Sequence, residues 1–238
     1  MTEETISGSV AAMYFAHIVG VMRENEEFIL KNARGAYDEV IELINDAIDE
    51  VQLAVNRPDK EKDYFERSIT FFTYHTLMPF SHAIYLDLLA GNVPASFMEM
   101  RLILESLAKC YLADLRYPEV GFFQTRLERL EREMEQTKLS TSKALRELGE
   151  KLGAANDFVA LWGILSQDWM HTKGFIDKLV SHVTEKSDIP PWALVIPMNY
   201  TEADLSILEE MRNRISQLRS LLSTTMGKYR QEQSPEAG

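Results

Sequence analysis

The chain has a single cysteine, Cys110, set in the apolar run Leu107-Ala-Lys-Cys-Tyr-Leu112. One thiol can build neither a disulfide framework nor a thiolate zinc site within one chain, and a reducing compartment fits best. Basic residues are also scarce. Lys and Arg number 25 against 37 Asp and Glu, a formal net charge of −12. The summed field repels phosphate backbones and anionic headgroups, so nucleic acid is not an expected partner. Residues Glu3 and Glu4, rather than Lys or Arg, precede the first apolar stretch from Ser9 to Met22, which is not how a secretory signal opens. Ser68 to Leu86 is free of formal charge, but its interior holds Thr70, Thr73, His75, Thr76, Pro79, Ser81 and His82. No second span could satisfy those groups in lipid, so the stretch reads as a buried core helix, no membrane partner is expected and the protein is placed in the cytoplasm.

Period-two strand patterns bracketed by hairpin turns are missing, whereas helical spacing runs almost throughout. The expected fold is therefore all-α: an antiparallel multi-helix bundle with a central apolar helical hairpin and a protruding charged helical hairpin. One domain is expected over residues 1–230, with the charged hairpin, about 119–153, as an insertion-like arm and 231–238 as a disordered tail. A first helix is expected from about Ser9 to Arg23 and a second from about Glu26 to Val55. The second carries a coiled-coil-like seam at Ala33, Tyr37, Val40, Ile44, Ala47 and Val51. The third, about Asp63 to Ala90, is apolar all round and rich in rings (Tyr64, Phe65, Phe71, Phe72, Tyr74, Phe80, Tyr85), which predicts a central position. Pro79 lacks an N–H and predicts a kink at Thr76 to Pro79.

Gly91-Asn-Val-Pro94 reads as a tight turn into a fourth helix, about Ala95 to Arg116, packed on the third. Mixed charge from Thr125 to Lys151 predicts the solvated hairpin, broken near Ser140, whose side chain can cap the second arm. Asn156 or Asp157 caps an apolar helix through Trp162, Ile164, Leu165 and Trp169. A proline-interrupted apolar connector, Ser187 to Tyr200, then precedes a last helix that opens with Thr201-Glu-Ala-Asp204 and carries Leu208, Met211, Ile215, Leu218 and Leu222 as its stripe.

Chemistry-bearing signatures are few. The sequence has no glycine-rich phosphate loop, no Gly-x-Ser-x-Gly elbow, no His-Glu-x-x-His and no Glu-x-x-His pair of the kind that carboxylate di-iron bundles use. No cofactor is implied. Seven residues separate His75 from His82, about 10 Å of helical rise, too far for one metal. Asp168 and His171 have the i, i+3 spacing that lets two side chains converge on a metal, with Glu105 or His82 as third ligand; alternatively they are a polar helix terminus beside Trp169. Arg101 and Glu105 interrupt an otherwise apolar helix and, with Lys109 and Arg116, define a polar arc. Either the arc meets water and neighbouring charges, or Arg101 is an anion receptor oriented by Glu105 with His82 or His171 opposite. His17 and Cys110 are expected to fill core positions.

The runs His82 to Gly91, Ala95 to Leu112 with Arg101-Leu-Ile-Leu-Glu105, and Leu165-Ser-Gln-Asp-Trp-Met-His171 resemble a diffuse family of uncharacterised prokaryotic all-helical proteins. Those proteins share an Arg-x-x-x-Glu helix and a late Ser/His helix, over about the middle half of this chain. The resemblance implies a helical fold and no particular reaction. Helical nuclease toxins carry Arg followed four to six residues later by His, a spacing this chain lacks. The leading functional expectation is a non-enzymatic bundle acting through protein contacts as a homo-oligomer, most simply a homodimer, with Trp192, Val195 and Ile196 of the apolar connector at the interface. The alternative is a small-anion or metal-binding protein or enzyme, with a pocket between central helices lined by His82, Arg101, Glu105 and His171.

Overall fold

The computed structural model describes residues 3–169 and 197–232, with side chains from residue 12 onward except that of Asp168. Every regular element among them is helical. In chain order these are α1 (Glu3–Asn32), α2 (Arg34–Val55), α3 (Lys60–Glu66), α4 (Ser68–Phe72), a π turn (Thr73–Leu77), α5 (Met78–Ala90), α6 (Val93–Arg116), α7 (Phe123–Thr137), α8 (Thr141–Leu152), α9 (Ala155–Trp169), a 3₁₀ turn (Glu202–Asp204) and α10 (Leu205–Glu232). The all-α bundle expected from spacing is present, with no strand among the described residues.

The hub is α6, which touches α4, α5, α7, α8, α9 and α10. It can do so because apolar residues surround it: Phe97, Met100, Ile103, Leu104 and Leu107 are sealed from water, as is Phe72 of α4. Phe97 stacks on Trp169 of α9 with ring centroids 4.2 Å apart and planes 10° from parallel. Such a pair adds about 0.5–1.5 kcal/mol beyond the area it buries. The α5–α6 hairpin turns at Gly91, whose φ of +73° is the left-handed region. A side chain there would also place its Cβ 2.1 Å from the Met198 carbonyl oxygen, so glycine is required twice over.

Several expectations need correction. The third helix is not one rod. It breaks at Arg67, whose extended backbone separates α3 from α4, and only its later part is central. Tyr64, Phe65, Phe71 and Tyr74 instead gather at the rim in a chain of ring contacts that includes His75 and Phe123. Pro79 does distort the helix, but as a π turn over Thr73–Leu77 in which the Met78 N–H reaches back to the Thr73 carbonyl. The first two helices meet at Ala33, not near Arg23. The seam of α2 is rotated to Ala36, Val40, Leu43 and Ala47, and it packs on α5 and α10 within the same chain.

The charged hairpin is formed by α7 and α8, but it lies along the bundle and does not protrude. Its apolar stripe, Leu130, Met134 and Ala144, closes over Leu112 and Ala113 of α6. Arg116 of α6 reaches Glu133 of α7 at 2.5 Å and also Glu147 of α8, tying both arms down. Ser140 does stand at the start of α8, yet its hydroxyl pairs with that of Ser142 at 3.0 Å and caps no backbone N–H. The predicted cap before the last helix is present: the Asp204 carboxylate accepts from the Thr201 N–H at 2.6 Å and from its hydroxyl at 3.0 Å. His17 is exposed, whereas Cys110 is buried as expected.

Candidate functional site

Polar side chains inside a helical bundle must be paired, so each buried or half-buried cluster has a partner structure that can be followed. The largest surrounds Asp114, a carboxylate sealed between α4, α6 and α10. It accepts the backbone N–H groups of Ser68 and Ile69 at 2.8 and 3.0 Å, the Arg126 guanidinium at 2.9 Å and the Tyr229 hydroxyl at 2.9 Å. Those two N–H groups are the orphan donors of the α4 N-terminus, exposed by the break at Arg67. A carboxylate from another helix thus caps α4 where no local residue does. Arg126 is completed by the carbonyls of Val120 and Pro118 at 2.6 and 3.1 Å. The Asp114 carboxylate and the Arg126 guanidinium are both matched by protein groups, which makes this a structural hub.

A second cluster sits where residues 197–200 cross the end of α5. Asn25 of α1, almost wholly buried, donates to the carbonyls of Leu89 and Met198 at 2.8 and 2.9 Å and accepts the Tyr200 N–H at 2.8 Å. Tyr200 donates its hydroxyl to the Leu88 carbonyl at 2.7 Å, and the Met198 N–H meets the Ala90 carbonyl at 3.0 Å. The Leu88 and Ala90 carbonyls at the end of α5 are met by this strap, and the Leu89 carbonyl by Asn25.

Beside the same turn, Asp87 of α5 and Glu99 of α6 form a carboxyl pair. Asn92 donates to Asp87 at 2.9 Å, whereas Glu99 Oε2 is shut from solvent and meets no donor. Two ionised carboxylates cannot hydrogen-bond to one another. Burial first, and the Asp87 charge second, push the Glu99 carboxyl up to about 8, so it keeps a proton to donate to Asp87; burial also raises Asp87. The sign for stability follows directly. A carboxyl that holds its proton to about 8 when folded, against 4.5 as its ordinary value, makes the folded chain the greater proton binder between those limits, so stability falls as pH rises across that window. Glu99→Gln, which mimics the protonated form, is expected to flatten that slope and to raise the melting temperature relative to the parent above about pH 8. Thermal melts from pH 5 to 9 check it; a mutant that keeps the parent's slope refutes the pairing.

The third cluster contains the residues singled out in the sequence. Arg101 and Glu105 are brought together: Arg101 Nε donates to Glu105 Oε1 at 2.6 Å. The Trp162 indole N–H of α9 donates to the same oxygen at 2.6 Å, and the guanidinium carbon lies 5.5 Å from the Trp162 ring centroid. Further along the arc, Lys109 pairs with Glu131 at 3.2 Å. His82 is not brought to Arg101 or Glu105; it is exposed, and its ring is turned back so that Nδ1 lies 2.9 Å from the Met78 carbonyl of its own helix. His75 likewise stands apart, its Nε2 2.8 Å from the Tyr64 hydroxyl. His171, Trp192, Val195 and Ile196 lie outside the described residues, as does the side chain of Asp168. Among the described residues no three of His, Cys, Asp or Glu come together to hold a metal. The Cys110 thiol is pushed far up by burial and by Asp114, which makes it a poor nucleophile.

Sequence reasoning missed Asp87, Glu99, Asn25 and Asp114. Asp87 and Glu99 did carry a signal, since each is an acid interrupting an apolar helix just as Arg101 does. Asn25 and Asp114 carried none, because all of their partners but Arg126 are tens of residues distant.

Compared with protein-family models, with curated proteins and with solved structures, the chain matches none.

Proposed function

We propose that this protein is a cytoplasmic helical scaffold that acts by protein contact, and that its first partner is a second copy of itself. The observation carrying this reading is the N-terminal half of α1. Further along, Val21, Asn25 and Ile29 are buried in the bundle, but residues 12–17 are all exposed, with Met13 at 70%, Tyr14 at 51% and Phe15 at 67%. Six consecutive helical residues cover every face at 100° per step, so this segment shows apolar side chains to water all round. Contiguous exposed apolar side chains of this size mark contact surfaces in monomeric folds. The stretch from Ile6 to Met22 contains no formal charge, so nothing in it opposes apposition with an identical helix about a two-fold axis. The seam of α2 does not compete for this role, because it is spent on α5 and α10. No described helix is long and apolar enough to cross a membrane.

Sedimentation velocity from low to high micromolar concentration is expected to show a concentration-dependent dimer. Met13→Glu combined with Phe15→Glu is expected to weaken association by at least about 100-fold, since two buried apolar anchors become charges. A strict monomer at high micromolar concentration, or binding of α1 to lipid vesicles in place of dimerisation, overturns the reading.

A further inference from the structure

Arg101 is held in an unusual way for a residue on the hub helix. A guanidinium has five N–H donors arranged as a rigid fork, and here one of them, Nε, is committed to Glu105 at 2.6 Å. The indole of Trp162 lies against the guanidinium, its ring centroid 5.5 Å from the central carbon. Trp162 also donates to the Glu105 oxygen that Arg101 contacts, so the three side chains lock one another's orientation. No described residue meets Nη1 or Nη2, and the side chain is only 20% exposed. Among the described residues the terminal edge of the fork has no partner, and that is the edge that fits two oxygens of a planar carboxylate or of a phosphate.

We propose that Arg101 is the receptor for a small oxyanion, gripped through Nη1 and Nη2 above Trp162, with Glu105 as its positioning residue. The proposal goes beyond the contact reading and does not depend on it, because α1 and this cluster are separate in the fold. Glu105 has two opposed effects. It fixes the fork in advance, which lowers the ordering cost of binding, and it offsets the positive charge, which limits affinity. A dissociation constant on the order of 1–10 mM is expected for a simple anion. Lys109 does not add to the grip, since its ammonium group is taken by Glu131.

Trp162 is a built-in reporter. In the full chain labelled with nitrogen-15 at its indoles, the Trp162 signal, assigned by its loss in Trp162→Phe, is followed while sodium acetate or sodium phosphate is added, with sodium chloride at matched ionic strength as control. A saturable shift with acetate, with phosphate or with both supports the proposal and tells the carboxylate source from the phosphoryl one. Glu105→Gln is expected to tighten binding several-fold, because its amide oxygen still accepts from the indole while the opposing charge is gone. Arg101→Lys keeps the aliphatic stem and the charge but loses the fork, and is expected to weaken binding at least about tenfold. A shift that chloride reproduces, one that never saturates, or one that Arg101→Lys leaves unchanged overturns the assignment.

Discussion

Asp114→Asn is expected to destabilise the fold by about 3–5 kcal/mol, the range for stripping one partner from a buried ion pair. For a chain of this size that corresponds to a melting temperature lower by about 6–20 °C. The carboxylate is shared among four donors on three separate elements: the Ser68 and Ile69 N–H groups, Arg126 and Tyr229. An amide keeps the shape and loses the function. Its NH₂ must face one of those donors, and the Arg126 guanidinium, with its side chain 7% exposed, is left without a countercharge. Tyr229→Phe is the graded control, since it removes the hydroxyl's bonds to Asp114 and Arg67 but keeps the buried ion pair, and is expected to cost about 1–2 kcal/mol. Urea and thermal unfolding measure both, and an Asp114→Asn loss below about 1 kcal/mol would mean that α4 finds another cap.

Asn25→Ala is expected to cost about 2–4 kcal/mol and to free the strap before the rest of the fold. Three hydrogen bonds vanish at a residue 1% exposed, each worth about 1 kcal/mol, and the Leu89 carbonyl is left buried without its donor. The effect is local first, because Asn25 links residues 197–200 to both α1 and α5, and the Met198 N–H and Tyr200 hydroxyl on α5 and the Asn199 and Tyr200 contacts with Glu24 and Phe28 of α1 lie toward the edge of the bundle. Amide hydrogen exchange at Tyr200 is therefore expected to accelerate by about 10–100-fold while the amides of α6 are little changed. Equal acceleration throughout the molecule would show instead that the strap and bundle open as one unit. Asn25→Asp is expected to be worse than Asn25→Ala, since its carboxylate would face the Leu89 and Met198 carbonyl oxygens.

The sequence and the structure part company in an orderly way. The last helix was legible down to its stripe: Leu208, Met211, Ile215 and Leu218 are fully buried and Leu222 nearly so. So was the cap at Thr201 and Asp204, because both signals lie within one or two turns of chain. The break at Arg67 was not legible. Its energetic reason is Asp114, about 46 residues further on, and nothing near Arg67 resembles a helix stop. The seam of α2 kept Val40 and Ala47 but turned to Ala36 and Leu43 in place of Tyr37 and Ile44, because two neighbours, α5 and α10, share its burial, and a stripe facing two partners is wider than the seam of a two-stranded coil.

The same division holds at the candidate sites. Arg101 and Glu105 could be paired from their i, i+4 spacing alone, since one helical turn places them side by side. Their lock against Trp162, which turns a surface ion pair into an oriented fork, depends on how α6 and α9 pack. Asp87 and Glu99 are twelve residues apart on antiparallel helices, and only the Gly91 turn brings them face to face. Local chain chemistry therefore determined that this protein is helical, where most helices begin and end, and which residues are apolar enough to bury. Tertiary packing decided which carboxylate caps which helix, which polar residues share a proton or a partner, and which apolar segment stays outside, because those outcomes are set by distances between elements that no spacing along the chain encodes.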